Sequence, residues 1–309
     1  MESHQESTGS VKVFRDTQVR DLLRPQDAIA WMREAVIAES KGQLAAPARL
    51  NAPIGDGNLV LTAGSFVERA YGYRVYDTLG LPESEQIVVA HDAHSGAIEA
   101  IAIGSEIGLR RTSALGGVAH DALAPNRPIS VALIGAGRQG QGQLWALQAV
   151  RTIRNVKVFS RTQDNRNATA QRLDSTYGFP VTAVGSAEEA VTDADVVIMA
   201  TNSPSPVIQT EWLAENCYVA TVGPKQAGHS EFDDDLLHKA RIITTDSMNQ
   251  LSTSELPIHS NKAEPTIVPL AQLIENPPSP EGLRVYLSVG LAGTEPYLLH
   301  RLAAQVVSK

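Results

Sequence analysis

The sequence predicts an α/β protein, a doubly wound parallel sheet beside a smaller α+β domain, on three observations. From Ile129 onward, apolar runs alternate with helical patterns: "ISVALIG", "GQLWALQAV", "NVKVFSR", "NRNATAQRLDSTYG", "VTAV", "SAEEAVTD", "ADVVIMAT", "YVATVG" and "ARIITTD". Near-continuous apolar strands separated by helices belong to a parallel sheet covered on both faces. Before residue 127 the strand-like runs are short and read as an antiparallel sheet. With 309 residues, 43% hydrophobic and 19% charged, the chain has enough apolar material for two modest packed domains, which excludes wholesale disorder.

Taken in order, "RPQDAIAWMREAVIAESKG" is an amphipathic helix, with Pro25 near its start and Gly42 as its stop. "NLVLTAG" and "YGYRVYDTL" follow as strands, and "EQIVVAHDAHSGAIEAIAIG" as two strands joined around His94, Ser95 and Gly96. "TSALGGVAHDALA" is a helix running to Pro125 and Pro128, where the composition changes. Near the end, "IENPPSPEGL" reads as a loop, and "VYLSVGLAGTEPYLLHRLAAQVVSK" as a strand, a glycine turn and a closing helix that returns to the first domain. The expected division is therefore 1–126, completed by about 285–309, and 127–284.

Charge and composition narrow the function. A formal net charge of -8 disfavours nucleic acid and anionic membranes as partners. The single cysteine, Cys217, excludes an internal disulfide and suits a reducing compartment. "MESHQESTGS" lacks the basic start and apolar core of a signal peptide, and no apolar run has the length of a membrane span. A soluble, cytoplasmic protein with no bound metal is expected.

The glycines of "VALIGAGRQGQGQL" carry the chemistry. Gly135, Gly137 and Gly140, with Arg138 and Gln139 between them, follow a buried strand and open a helical pattern. Backbone N–H groups at such a helix start can face a pyrophosphate, with Gly137 allowing close approach. The alternative is a strand-to-helix turn shaped by packing alone. The next strand ends in Ser160, Arg161 and Thr162, where an NAD-binding domain usually places an acid for the ribose hydroxyls. A fixed positive charge there suits the 2'-phosphate of NADP, with NAD as the other possibility and a solvated Arg161 as the plain alternative. Ala200, Thr201 and Asn202 end the fourth strand, at the edge where ligands bind in such folds; they either approach a nicotinamide ribose or start the turn before Pro204.

Several motifs together resemble the ornithine cyclodeaminase and mu-crystallin family: "PARL" at 47–50, "VVAHDAHSGAIEAIAIGSEIGLRRTSA" at 88–114, "LIGAGRQGQGQL" at 133–144, "VFSRT", "ADVVIMAT", "SEFDDDLLHKARIITTD" at 230–246 and "LSVGLA" at 287–292. The resemblance covers most of the chain. It implies a Rossmann dinucleotide-binding domain, an α+β substrate-binding and dimerisation domain that pairs with its mate in a homodimer, and a substrate cleft between domains. It implies that Arg49 and Arg111 bind the substrate carboxylate, that Thr112 lies near the cofactor phosphates, and that Val222, Gly223, Ser288 and Gly290 contact the cofactor. In this family's pattern Arg111 and Thr112 close a strand before a helix.

Two positions depart from that pattern. Arg74 in "YGYRVYD" stands where the family usually has a lysine, and Lys225 in "VGPKQAG" where ornithine cyclodeaminase has an acid. An ammonium has no acceptor with which to activate water, so cyclodeamination becomes the weaker alternative. Arg74 is expected to clamp rather than shuttle protons, and Lys225 to act as general acid. The leading expectation is an NADP-dependent reductase acting on a small imino acid or ketimine, or an amino acid dehydrogenase in reverse. A crystallin-like protein that binds NADPH and a small ligand without turnover is the alternative. Four cations, Arg49, Arg74, Arg111 and Lys225, exceed what one carboxylate needs, which predicts a dicarboxylic substrate such as iminosuccinate.

Overall fold

The computed structural model describes residues 10–253 and 266–307, which form two compact units. The first is built from residues up to Arg24, from Ile37–Arg111 and from Ala292 onward; the second from Pro25–Val36 and Thr112–Leu291.

In chain order the first elements are β1 (Lys12–Arg15), α1 (Asp16–Leu22), α2 (Pro25–Ser40), β2 (Leu44–Ala45), β3 (Leu50–Ile54), β4 (Gly57–Phe66), β5 (Ala70–Asp77), β6 (Ile87–Asp92), β7 (Ile98–Ile103) and α3 (Glu106–Leu123). Pro25 opens α2, where its missing N–H costs nothing, and Gly42 beyond its end takes φ +69°. The seven strands make one sheet in the order β1-β7-β6-β5-β4-β2, with β3 also on β4. All its pairs are antiparallel except β1 with β7.

Period-two alternation gives this sheet two different faces. One row crosses it as Phe14, Ala102, Val88, Arg74 and Thr62, mostly buried. The opposite face carries the row Arg15, Ile103, Ile87, Val75, Leu61 and Leu50. Leu50 is 67% exposed, and Val13, Leu59, Ile87 and Ile98 are exposed as well.

The second unit continues with β8 (Ile129–Ile134), α4 (Arg138–Val150), β9 (Ile153–Phe159), α5 (Gln163–Tyr177), β10 (Val181–Ala183), α6 (Ala187–Val191), β11 (Val196–Met199) and β12 (Tyr218–Thr221). Next come the short hairpin of β13 (Lys225–Gln226) and β14 (His229–Ser230), then α7 (Asp234–Lys239), β15 (Ile242–Thr245), α8 (Met248–Thr253), β16 (Ile267–Pro269), α9 (Leu270–Glu275) and β17 (Arg284–Leu287). α10 (Thr294–Val307) lies in the first unit. An eight-stranded sheet runs β10-β9-β8-β11-β12-β17-β15-β16, parallel throughout. Ala132, Ile134, Val197, Met199, Val219 and Val285 form part of its core, where Cys217 is also buried. Burial pushes that thiol up to about 12, so it is an inert packing residue.

Three features differ from the sequence reading. Arg111 and Thr112 do not close a strand; they lie inside α3, because the helix begins at Glu106, where the backbone N–H is capped by Asp16 Oδ1 at 2.8 Å. The compact units divide within this helix rather than at residue 126, and its Gly117 lies where a Cβ would press on Ile29 and Ala146 of the second unit. β17 belongs to the parallel sheet, so the chain rejoins the first unit only at Ala292. No helix among the described residues is long and apolar enough to cross a membrane.

Candidate functional site

Five parallel strands of the second unit end in one line. Phe159, Ile134, Met199, Thr221 and Leu287 are register partners in turn. The residues after them, Ser160, Gly135, Ala200, Val222 and Ser288, therefore start loops along one carboxyl edge. Ligands bind at that edge in doubly wound sheets, where the strand order reverses, here between β8 and β11. The register thus gathers Gly135–Gly140, Ser160–Thr162, Ala200–Asn202, Val222, Gly223, Ser288 and Gly290. Thr112 stands beside α4, its carbonyl accepting a hydrogen bond from Gln143 Nε2 at 3.3 Å.

The glycines have different reasons. Gly135 takes φ +103°, and a Cβ on it would overlap the Ala200 carbonyl oxygen. A Cβ on Gly140 would lie 2.9 Å from Leu133 Cδ1 and 2.5 Å from the Gly135 oxygen. Packing alone explains both. Gly137 caps α4 with φ -76° and ψ 177°, and a Cβ there would meet nothing within 4 Å. No contact within the chain asks for glycine at this point. Open space in front of the first-turn N–H groups of α4 fits a pyrophosphate. Arg138 and Gln139 occupy the exposed first turn.

At the end of β9, Arg161 is exposed and makes no ion pair among the described residues. Arg166 donates to the Ser160 carbonyl at 3.1 Å and lies over the Phe159 ring, bracing the loop that carries Arg161. This corner puts a fixed positive charge at the strand end that in such folds faces the adenosine ribose.

Two acids that the sequence reading missed tie these loops together. Glu231 Oε2 accepts from Thr201 N and Oγ1, both at 2.8 Å, and Oε1 accepts from Gly223 N at 2.7 Å. A Cβ on Gly223 would overlap that carboxylate, so the glycine makes room for the clasp. Burial pushes the Glu231 carboxyl up, against the pull of the Thr201 hydrogen bonds and the Lys225 charge. Asp246 accepts from Val289 N at 2.9 Å, Gly290 N at 3.1 Å and the Tyr286 hydroxyl at 3.0 Å. Its place directly after the buried run "IITT" was the available signal. Lys225 is buried on β13 and donates from Nζ to the Gly223 carbonyl at 2.7 Å. An open hollow of about 570 Å³ lined by Asn126, Arg127, Pro128, Thr152 and Phe179 lies at the amino ends of β8 and β9, away from this edge.

The first unit gathers the other cations. Arg74 on β5 and Arg111 on α3 share one acceptor, Oε1 of Glu295 in the first turn of α10; the Arg74 Nη1 contact is 3.1 Å. Gln86 Oε1 accepts from Arg74 Nε at 3.1 Å and Nη2 at 2.6 Å. The guanidinium lies over the Tyr76 ring, 4.3 Å from its centre. A Cβ on Gly108 would come within 2.8 Å of Arg74 Cζ, so α3 passes this charge at a glycine. Burial alone would raise the Glu295 carboxyl, but the Arg111 and Arg74 charges outweigh it and hold the group below its ordinary range. Leu50 pairs with Leu61 and Thr62 with Arg74, so Arg49, just before Leu50, continues the row of Thr62 and Arg74. Four cations in the sequence exceed what one carboxylate needs; Glu295, distant in sequence, supplies a buried counter-charge to Arg74 and Arg111.

Arg161→Ala is expected to weaken NADPH binding by about tenfold or more and to leave NADH binding within about twofold, since one charged hydrogen bond is worth about 1.5–3 kcal/mol. Fluorescence titration with both cofactors measures it, and equal losses would show that Arg161 does not read the phosphate.

The sequence model of the ornithine cyclodeaminase/mu-crystallin family matches residues 11–293. A Delta(1)-pyrroline-2-carboxylate reductase of Bacillus cereus is 27% identical over 301 residues, covering 91% of this chain and 92% of the relative. Ketimine reductase mu-crystallin of Mus musculus is 28% identical over 74% of this chain and 76% of the relative. Among solved structures, the Thermococcus litoralis Delta(1)-pyrroline-2-carboxylate reductase in complex with NADH and L-proline superposes with a TM-score of 0.82 at 22% identity, covering 96% of this chain and 97% of that one. NAD(P) is thus the nucleotide class that the glycine edge suits, and the Thermococcus litoralis enzyme is solved with NADH. The α/β architecture, the Rossmann sheet and the match over nearly the whole chain agree: this chain belongs to the ornithine cyclodeaminase/mu-crystallin family.

Proposed function

We propose that the chain is an NADP(H)-dependent reductase of the C=N bond of a small imino acid or cyclic ketimine, running as an amino acid dehydrogenase in reverse. The observation that carries this reading is the Gly137 corner, open to a pyrophosphate in a chain whose relatives are imine and ketimine reductases. A bound nicotinamide supplies the hydride to the imine carbon. Gly137, Arg138, Gln139 and the start of α4 hold the pyrophosphate, Arg161 with Ser160 and Thr162 the 2'-phosphate end. Thr201, Asn202, Val222, Gly223, Ser288 and Gly290 line the loops toward the nicotinamide.

On the substrate side, Arg49 and Arg111 take the carboxylate, which orients the C=N bond before reaction. Arg74, pinned by Glu295, Gln86 and Tyr76, holds charge in place and moves no proton. Lys225 gives a proton from its ammonium to the imine nitrogen as the C=N π electrons move onto that nitrogen. It has no acceptor for activating water in that form, which disfavours cyclodeamination. The outer face of the first unit pairs with the same face of a second copy, which would cover the exposed Val13, Leu50, Leu59, Ile87 and Ile98.

Two measurements test this reading. NADPH oxidation is expected with Δ1-pyrroline-2-carboxylate or with imines formed from small 2-oxo acids and amines. Arg49→Met is expected to raise KM by about tenfold or more with a smaller change in kcat. NADPH binding with no turnover on any of these imines would instead favour a binding protein. Sedimentation is expected to give a dimer that Ile87→Asp with Leu59→Asp splits; a wild-type monomer would remove the pairing.

A further inference from the structure

The row Phe14, Ala102, Val88, Arg74, Thr62 places one guanidinium among apolar, buried neighbours. A charge in such a place needs a partner, because an isolated buried ion is costly. The partner is Glu295, 1% exposed, and it serves Arg111 with the same oxygen. Arg111 is itself only 6% exposed. Arg111 Nε and Glu295 Oε2 are buried with no hydrogen-bond partner. One carboxylate oxygen thus carries two cations, and neither arginine can shift without affecting the other. Gln86, just before β6, and Gly108 on α3 add shape: one accepts two of the Arg74 donors, the other leaves space for the guanidinium.

Resting on the reading that Arg49 and Arg111 take the substrate carboxylate, we propose that Glu295 is the positioning residue of the substrate site, and that by fusing Arg74 and Arg111 into one unit of net charge +1 it sets the site for one carboxylate rather than two. The count is two guanidiniums less one carboxylate; Arg49 shares the one substrate carboxylate with Arg111 and Lys225 serves the imine nitrogen, so the unit decides whether a second carboxylate is held. With Glu295 neutral the same two arginines would present +2 and accept a second carboxylate. A second carboxylate, placed at position 86, would cancel the unit altogether. Discrimination between monoacid and diacid imines therefore follows the charge at 295 and 86, while overall rate follows geometry.

The test compares kcat/KM for iminosuccinate with that for Δ1-pyrroline-2-carboxylate in wild type and three variants. Glu295→Gln removes the charge and keeps the size; Glu295→Asp keeps the charge and shortens the reach; Gln86→Glu adds a charge without touching Glu295. The diacid-to-monoacid ratio is expected to rise by about tenfold or more in Glu295→Gln, the scale of one charged contact, and to stay within about threefold of wild type in Glu295→Asp even as its rate falls. It is expected to fall in Gln86→Glu. A ratio that moves equally in Glu295→Gln and Glu295→Asp, or in neither Glu295→Gln nor Gln86→Glu, overturns the proposal and leaves Glu295 a packing residue. If Glu295→Gln does not fold, Gln86→Glu decides: a ratio that does not fall overturns it. Calorimetry of the NADP-loaded protein with pyrrole-2-carboxylate and pyridine-2,6-dicarboxylate reads the same order without turnover. Wild type that binds the monoacid better but reduces neither imine loses the reductase reading and keeps this one; wild type that binds neither, or prefers the diacid, loses this one.

Discussion

The register of the parallel sheet is the constraint on which the rest of the second unit depends. β9, β8, β11, β12 and β17 pair so that Phe159, Ile134, Met199, Thr221 and Leu287 lie abreast. Slipping one strand by a residue would turn its buried side chains to the other face and break this line. Because the strands stop together, their loops meet, and acids can reach from one loop to the next. Glu231 joins the loops after β11 and β12, and Asp246 fixes the turn after β17. Both use carboxylate oxygens to satisfy backbone N–H groups that the strand ends leave unpaired, which is how a set of loops becomes a preorganised edge.

The first unit solves a different problem. Its sheet has one face turned inward, and Arg74 sits in the middle of that face. The fold accommodates the charge from four directions: Glu295 on α10, Gln86 before β6, the Tyr76 ring, and the absent side chain at Gly108. Glu295 lies in the first turn of its helix, where a carboxylate is favoured by the helix dipole. A buried cation held this completely is suited to orienting charge, and unsuited to exchanging protons.

Much of this is legible in the chain. The alternation from Ile129 onward predicts the parallel sheet, Pro25 and Gly42 bracket α2, and the glycine run stands between β8 and α4 as expected. What the sequence hides depends on residues far apart in it. Arg74 and Glu295 are 221 positions apart, and Thr201 and Glu231 are 30 apart, so no local period announces either pair. β17 reads as part of the returning segment because its apolar run is as compatible with either sheet; only pairing with β12 and β15 decides. Arg111 and Thr112 read as a strand end because "IGLRRT" is short and apolar at its start, whereas the Asp16 cap that begins α3 lies 90 positions upstream. The segment from 254 to 265, part of the stretch after Asp246 that has no clear pattern, lies outside the described residues.

The carboxyl edge of the parallel sheet is shaped for a dinucleotide at Gly137, whose hydrogen serves nothing inside the protein. In Gly137→Ala, with φ at -76° and open space for the methyl group, folding stability measured by urea is expected to change by less than about 1 kcal/mol, since the cap loss and the reduced freedom of the unfolded chain offset each other. NADPH affinity of the same protein is expected to fall by about tenfold or more, because a methyl group would stand where the pyrophosphate approaches the helix start. NADPH bound as tightly as by the wild type would contradict the account.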